Sequence, residues 1–431
     1  MTKAFSQGMH RRDLLRLLGI AGLGSLGVSC AGPGSTTNSD DAAPEEGDVS
    51  GAISFAHWRA EDSDVFDEII SDFAAEHDDV SVRQDISPSN DYQSTALQRV
   101  RSAAIGDAFT AFRGAQFVDM ASAGLFADLS EQPFAQNYQA DLITAGQSDG
   151  RQLGFPYQLV FNMPVFNVDA FEDAGISEPP ADWDGFLDLL DKLASAGYTP
   201  MAWPGGEPGN AGQLINSMVM NNAPSEDMFT GMEQGEFDAT DDWFVTTLKQ
   251  YAELRPFFQN NASGTAVEPA QQMFAEGEAA ILATGSYHIA AIRDLGAEFP
   301  MDLISPITVG ADEVQFRGVH NATFILGVNT ASDNQATATA FVEYLSRPEV
   351  AAVYADGTGQ HVTVEGVEYT SPDLQALAHW LDQPTILAPR FQFNDLDMRS
   401  AIEDAAIQVV GGKDPEQAAA DAQRIVEQRR A

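Results

Sequence analysis

Cysteine is all but missing from this chain: Cys30 is the only one in 431 residues. A lone thiol forms no internal disulfide, and a cysteine-built zinc or iron–sulfur site needs several thiolates. Lysine is almost as scarce, confined to Lys3, Lys192, Lys249 and Lys413. With 22 Lys+Arg against 64 Asp+Glu the net charge is −42, a surface that repels phosphate backbones, so no nucleic-acid partner is expected. HExxH and Walker-type motifs are missing. The seven histidines are scattered with none at metal-ligand spacing, so neither metal nor cofactor is expected. A carboxylate pair for glycoside hydrolysis remains open, because acids are everywhere.

What is present is enough to fold. Hydrophobic residues make up 44% of the chain, too many for a disordered acidic polymer. At roughly 150 residues per domain the length accommodates two or three domains. The acidic, lysine-poor composition fits a protein bathed in high salt, where screening removes self-repulsion, or simply an acidic proteome.

The first thirty residues carry a twin arginine, Arg11 and Arg12, an apolar Gly-rich run over 17–28, and then Cys30. A run of that length is too short for a bilayer of about twenty residues and reads as a signal peptide. The arginine pair followed by Asp13, Leu14 and Leu15 resembles a twin-arginine export signal, and Cys30 sits where a lipobox places its acylated cysteine. Residues 31–51 are polar, Gly- and Pro-containing, and read as a solvated tether. An extracytoplasmic domain held at the membrane by a lipid on Cys30 is the expectation.

Strand and helix signals then alternate. An apolar run ends at Trp58, a stripe of Phe66, Ile69, Ile70 and Phe73 follows Ser63, Val80 and Val82 mark a second strand, and a helix from Tyr92 stops at Gly106. Such an order predicts a parallel α/β sheet. Residues 159–168 read as strand, 183–196 as a helix closed by Gly197, 279–283 and 324–328 as strands, and 338–345 as a helix. Ser371–Pro372 and Asp414–Pro415 each place a cap before an N1 proline. Trp183 and Trp243, at helical spacing among core residues, are assigned to the core.

Aromatic and polar residues cluster at the predicted strand ends: His57, Trp58, Arg59 and Glu61; Phe112 and Arg113; Tyr157 and Gln158; Trp203; Ser286 and Tyr287. Ligands of open α/β sheets lie beyond the carboxyl ends of strands, so this distribution predicts a binding cleft.

Five segments in order carry a family resemblance. AISFAHW (52–58), AIGDAFTAF (104–112), AGLFADL (123–129), the long stretch from DGRQLGFPYQ to DLLDKL (149–193) and FAEGEAAILATGSYHI (274–289) are similar to landmarks of the family 1 extracellular solute-binding proteins, the receptors of ATP-binding-cassette carbohydrate importers. Within them Tyr287 stands where the family usually has Trp, and Phe166 where it has Tyr.

The resemblance implies a two-lobed α/β periplasmic-binding-protein fold of type II, the Venus-flytrap kind, with three hinge crossings near 159–164, 317–323 and 359–364. The lobes would be 52–162 with 318–362, and 163–317 with 363–431. It further implies a monomeric, non-catalytic receptor that holds a sugar between the lobes and delivers it to a permease. Trp58, Tyr157, Trp203 and Tyr287 would be stacking platforms, and Arg59, Glu61, Arg113, Gln158, Ser286, His320 and Asn321 polar partners. The rivals are an anchored glycan-active enzyme, a plain structural surface protein, and the same architecture taking an acidic or phosphorylated sugar through Arg59, Arg113, His57 and His320.

Overall fold

The computed structural model describes residues 43–45, 47–102 and 105–430. Arg11, Arg12 and Cys30, on which the export and lipidation expectations rest, lie outside the described residues. Among those described, no helix is long and apolar enough to cross a membrane.

Two sheets organise the chain. The larger has seven strands. Gly51–His57 pairs in parallel with Val80–Ile86 on one side and Ala108–Ala111 on the other, as strand–helix–strand connections require. The helix Ser63–Glu76 lies between the first two, with Phe66, Ile69, Ile70 and Phe73 buried as the stripe predicts. Asp62 takes the N-cap position and Ser63 is the first helical residue.

The sheet is not purely parallel. Gly318–Val328 inserts antiparallel to both Ala108–Ala111 and Phe155–Phe161, and His361–Val362 adds a short antiparallel edge. Late chain thus completes a sheet that early chain begins. The second sheet runs Met301–Leu303, Val165–Asn167, Ala279–Leu282, Thr199–Ala202.

The apolar run 159–168 is one strand in sequence and two in space. Phe161 pairs with His320 in the first sheet, whereas Val165 pairs with Leu282 and Leu303 in the second. Only three residues separate the two sheets at this point.

Each sheet has its own core. Phe55, Phe66, Phe109, Phe126, Phe324 and Phe341 fill the first, and Phe186, Leu190, Trp203, Met218, Phe244 and Ile402 one face of the second. A third cluster, with Phe161, Val165, Phe274 and Leu282, covers the other face. Fully burying one such side chain is worth roughly 1.5–3 kcal/mol. The helix Trp183–Ala196 shows how local signals feed this: Asp182 accepts from the Gly185 amide at 2.8 Å, Phe186, Leu190 and Leu193 turn inward, and Gly197 closes it at φ +101°. Pro348 opens the helix Pro348–Thr358, while the preceding Gln335–Leu345 has already ended.

Candidate functional site

A cavity of about 840 Å³ opens where residues of the two sheets face one another, a size within the usual range of roughly 300–1,000 Å³ for small-molecule sites. The first sheet contributes its strand ends. Trp58 follows Gly51–His57, and its indole stacks on Phe112 at 3.7 Å and 18° between planes. Tyr92 tilts against it at 5.5 Å and Phe324 meets it edge-on at 4.8 Å. Tyr92 is itself pinned by its hydroxyl, which donates to the carbonyl of Thr110 at 2.7 Å. Phe324 holds a left-handed backbone, φ +55°, within a buried strand. Such backbone strain, on the order of 1–3 kcal/mol, persists only where surroundings enforce it.

Arg59 is buried beside this stack. Its Nε and Nη2 donate to the two Asp62 oxygens at 2.8 Å each, and Nη1 lies 3.0 Å from Glu61. Tyr354 donates to Asp62 at 2.6 Å and receives a hydrogen bond from Gln158, so one chain of contacts links the cavity floor to Arg59. Burial works against the Arg59 charge, but Asp62 and Glu61 hold its pKa above the ordinary value.

The floor comes from two adjacent strands. Gln158 and Val160 of Phe155–Phe161, with Asn162 just beyond, present alternate side chains to the cavity, as do Asn321 and Thr323 of Gly318–Val328. The opposite wall belongs to the second lobe. Tyr287 stands on the turn Ser286–His288 after Ala279–Leu282, and Gly285 is required there, since a Cβ would come within 2.3 Å of the Tyr287 ring. Arg390 donates through Nε to Glu403 at 2.7 Å and through Nη1 to the Gly209 carbonyl at 2.9 Å, while Arg399 approaches the same Glu403 oxygen only to 3.8 Å.

Polar atoms at this surface lack partners. The Tyr287 hydroxyl, Asn162 Oδ1, Asn321 Oδ1, Thr323 Oγ1 and Arg399 Nε are each buried without a hydrogen bond. A buried polar atom left unpaired costs about 1–3 kcal/mol, so five of them on one cavity mark a surface built to meet something polar. Asn162 keeps its other end fixed by donating to Gln213 at 2.9 Å.

Of the sequence-derived site residues, Trp58, Arg59, Glu61, Gln158, Tyr287 and Asn321 line the cavity. The platform role expected of Tyr157 and Trp203 gives way to a packing role. Tyr157 points to the other side of its strand, against Tyr354 at 4.9 Å, and Trp203 is sealed in the second core, stacked on Phe258 at 5.2 Å with its indole N–H donating to the Ala211 carbonyl. Ser286 accepts from the Phe161 amide at 3.0 Å and thereby locates the Tyr287 turn instead of facing the cavity. His320, one residue out of phase with Asn321, turns to Thr385 at 2.9 Å. Arg113 flanks the site next to Phe112. His57 is buried with Nε2 on Gln84 at 2.8 Å, and burial lowers its pKa to about 4.

Asn162, Glu207, Gln213, Thr323, Arg390 and Arg399 also line the cavity and were not singled out from sequence. Alternation along the strands carrying Gln158 and Asn321 would have found Val160, Asn162 and Thr323. Among the described residues no His, Cys, Asp and Glu group is arranged to hold a metal ion.

Comparison with known proteins agrees with this architecture. A multiple sugar-binding protein of Streptococcus mutans serotype c is 22% identical over 366 residues, covering 81% of this chain and 82% of its own. The solute-binding protein RafE in complex with raffinose superposes with a TM-score of 0.78 at 18% identity, over 89% of this chain and all of that one. A chitin oligosaccharide binding protein gives 0.76 at 19% identity, over 88% of this chain and 99% of that one. The fold is therefore the two-lobed α/β solute-binding fold. The family model described as bacterial extracellular solute-binding protein matches residues 59–352, well over half of the sequence, and the chain belongs to that family.

Proposed function

We propose that this protein captures a sugar or short oligosaccharide between its lobes, leaves it chemically unaltered and presents it to the permease of an ATP-binding-cassette importer. One observation carries the reading: the Trp58–Phe112 stack borders a cavity whose floor and far wall hold five buried, unpartnered polar atoms. A pyranose offers an apolar C–H face and a rim of hydroxyls, which such a surface matches with one aromatic edge and a ring of directional partners. The names of the relatives, sugar-binding in each case quoted above, support the same class of solute. Segments near 159–164, 317–323 and 359–364 would serve as hinges, and a ligand that prefers the closed arrangement would make closure the signal to the permease.

Twin-arginine export, acylation at Cys30, a monomeric state, attachment to the outer face of the membrane and a saline habitat complete the proposal. Export, acylation and membrane attachment rest on the sequence of the first thirty residues, the saline habitat on the net charge of −42, and the monomeric state on the family resemblance.

A thermal-shift screen of neutral and charged carbohydrates tests the function, with recovery of the bound sugar and its mass. The expected result is a raised melting temperature for a small set of sugars recovered intact. No shift with any carbohydrate, or recovery of shortened products, overturns it.

A further inference from the structure

The sugar-receptor reading leaves the ligand class open, and the arginines of the cleft narrow it. Arg59 has two carboxylates to itself, Asp62 in a bidentate pair and Glu61 at 3.0 Å. Across the cavity the supply is reversed. Arg390 and Arg399 share the single carboxylate of Glu403, and Arg390 holds the short contact, 2.7 Å against 3.8 Å. The Arg399 side chain is only 11% exposed, and its Nε has no hydrogen bond.

A third guanidinium, that of Arg113, follows the cavity-lining Phe112 on the first lobe. Arg113 has neither a hydrogen bond nor an ion pair among the described residues. Its neighbour Gly114 lies against the second lobe, where a Cβ would meet the Phe391 carbonyl at 2.7 Å, and the Arg390 guanidinium sits 5.3 Å over the Phe391 ring. His320 stays neutral here, its pKa lowered to about 4 by burial and then by Arg113.

Scarcity of acids does not explain the shortfall, since the chain has 64 acids and only 22 basic residues. Withholding a counter-ion from a half-buried arginine is costly, and the cost shows: burial brings both Arg113 and Arg399 down to about 10, with Arg390 adding to the effect at Arg399. An anionic ligand group would supply the missing charge. A guanidinium fork meets carboxylate and phosphate oxygens in the same two-point geometry.

We propose that the preferred ligand is a sugar bearing a negatively charged group, its anion held by Arg399 at the Glu403 end of the cleft while its ring lies toward Trp58. Arg390, already committed to Glu403 and Gly209, orients the pair, and Arg113 adds positive potential from the first lobe.

The test is calorimetric titration of the full chain with matched sets: a uronate, its neutral parent sugar, and the phosphate ester of that parent. An anionic member is expected to bind at least tenfold more tightly than its neutral parent. Preference for the uronate assigns a carboxylate and preference for the ester a phosphate, both within the proposal. Arg399→Gln is expected to bring the ratio close to one, and Arg113→Gln to lower it by a smaller factor. Should Arg399→Gln fail to fold, the ratio measured on the unaltered chain decides alone. Equal or tighter binding of the neutral parent overturns the anionic class and leaves the receptor reading standing. Binding of no sugar, charged or neutral, overturns both.

Discussion

The two ends of the cleft hold the same functional group in opposite circumstances. At one end Arg59, 6% exposed, is tied by Asp62 and Glu61 into a chain that continues through Tyr354 to Gln158. At the other, Arg390 and Arg399 divide one carboxylate. A saturated arginine is a structural clamp, because its charge is already matched by two carboxylates and its removal strands a buried one. An undersupplied one still has donors and charge to offer. The same residue type thus does two jobs, and the count of carboxylates decides which.

Removing the shared carboxylate is the sharpest way to test that difference. Glu403→Gln leaves Arg390 and Arg399 buried together without an acid, and a loss of about 3–5 kcal/mol in unfolding free energy is expected from denaturant titration. A loss below about 1 kcal/mol would show that the two arginines do not depend on Glu403.

Histidines beside the arginines give the next effect. Burial lowers His57 to about 4, His288 to about 3 with Arg59 contributing, and His320 to about 4 with Arg113 contributing. The unfolded imidazole binds its proton near 6.5, so across that interval the unfolded chain holds more protons than the folded one. Stability is therefore complete above about pH 6.5 and falls as pH drops toward 4, by up to about 3 kcal/mol for fully buried His57. Melting curves between pH 7 and 4 check the direction, and His57→Gln should flatten part of the slope. A profile unchanged in that variant would remove His57 from the account.

How much of this was readable in advance follows from strand geometry. Trp58, Arg59 and Glu61 were legible because they follow an apolar strand directly, and the end of a strand is where a sheet meets its ligand. The error at Tyr157 and His320 is one of phase. Side chains alternate across a sheet, so Gln158 and Asn321 face the cavity while their immediate neighbours face away, and sequence alone gives the period but not which parity is inward. Trp203 failed for a different reason: the second lobe needed a large apolar side chain behind its sheet, and a strand-end position does not distinguish that from a platform. Arg390 and Arg399 come from the turn Pro389–Gln392 and the helix Leu396–Val410, more than three hundred residues from Trp58. Only the folded chain brings them to the same cavity. Several strands were legible as elements, though Met301–Leu303 and His361–Val362 were not, and the antiparallel insertion of Gly318–Val328 depends on a long-range pairing that no local signal encodes.

Gly114 tests whether the undersupplied end depends on close approach of the lobes. Its φ of +83° with ψ of −138° lies in territory essentially reserved for glycine, and an added methyl would press on the Phe391 carbonyl at 2.7 Å. Gly114→Ala is expected to cost about 1–3 kcal/mol, expressed more in ligand affinity than in melting temperature, because the obstruction lies between the lobes and not inside a core. An affinity unchanged while stability falls would place the contact outside the binding movement.

The smallest expected effect is at Glu61. Its side chain is 55% exposed, against 7% for the Arg59 side chain it contacts, and solvent screens the attraction at that exposure. Arg59 also retains both hydrogen bonds to Asp62 when Glu61 is neutralised, so no buried charge is abandoned. Glu61→Gln should therefore change unfolding free energy by less than about 1 kcal/mol, several times less than Glu403→Gln. The ratio of the two losses is the quantity that matters, since each variant removes one carboxylate from an arginine of the same cleft. Equal losses would mean that the second acid at Arg59 is as necessary as the single acid shared by Arg390 and Arg399, and the distinction between a saturated end and an undersupplied end would disappear.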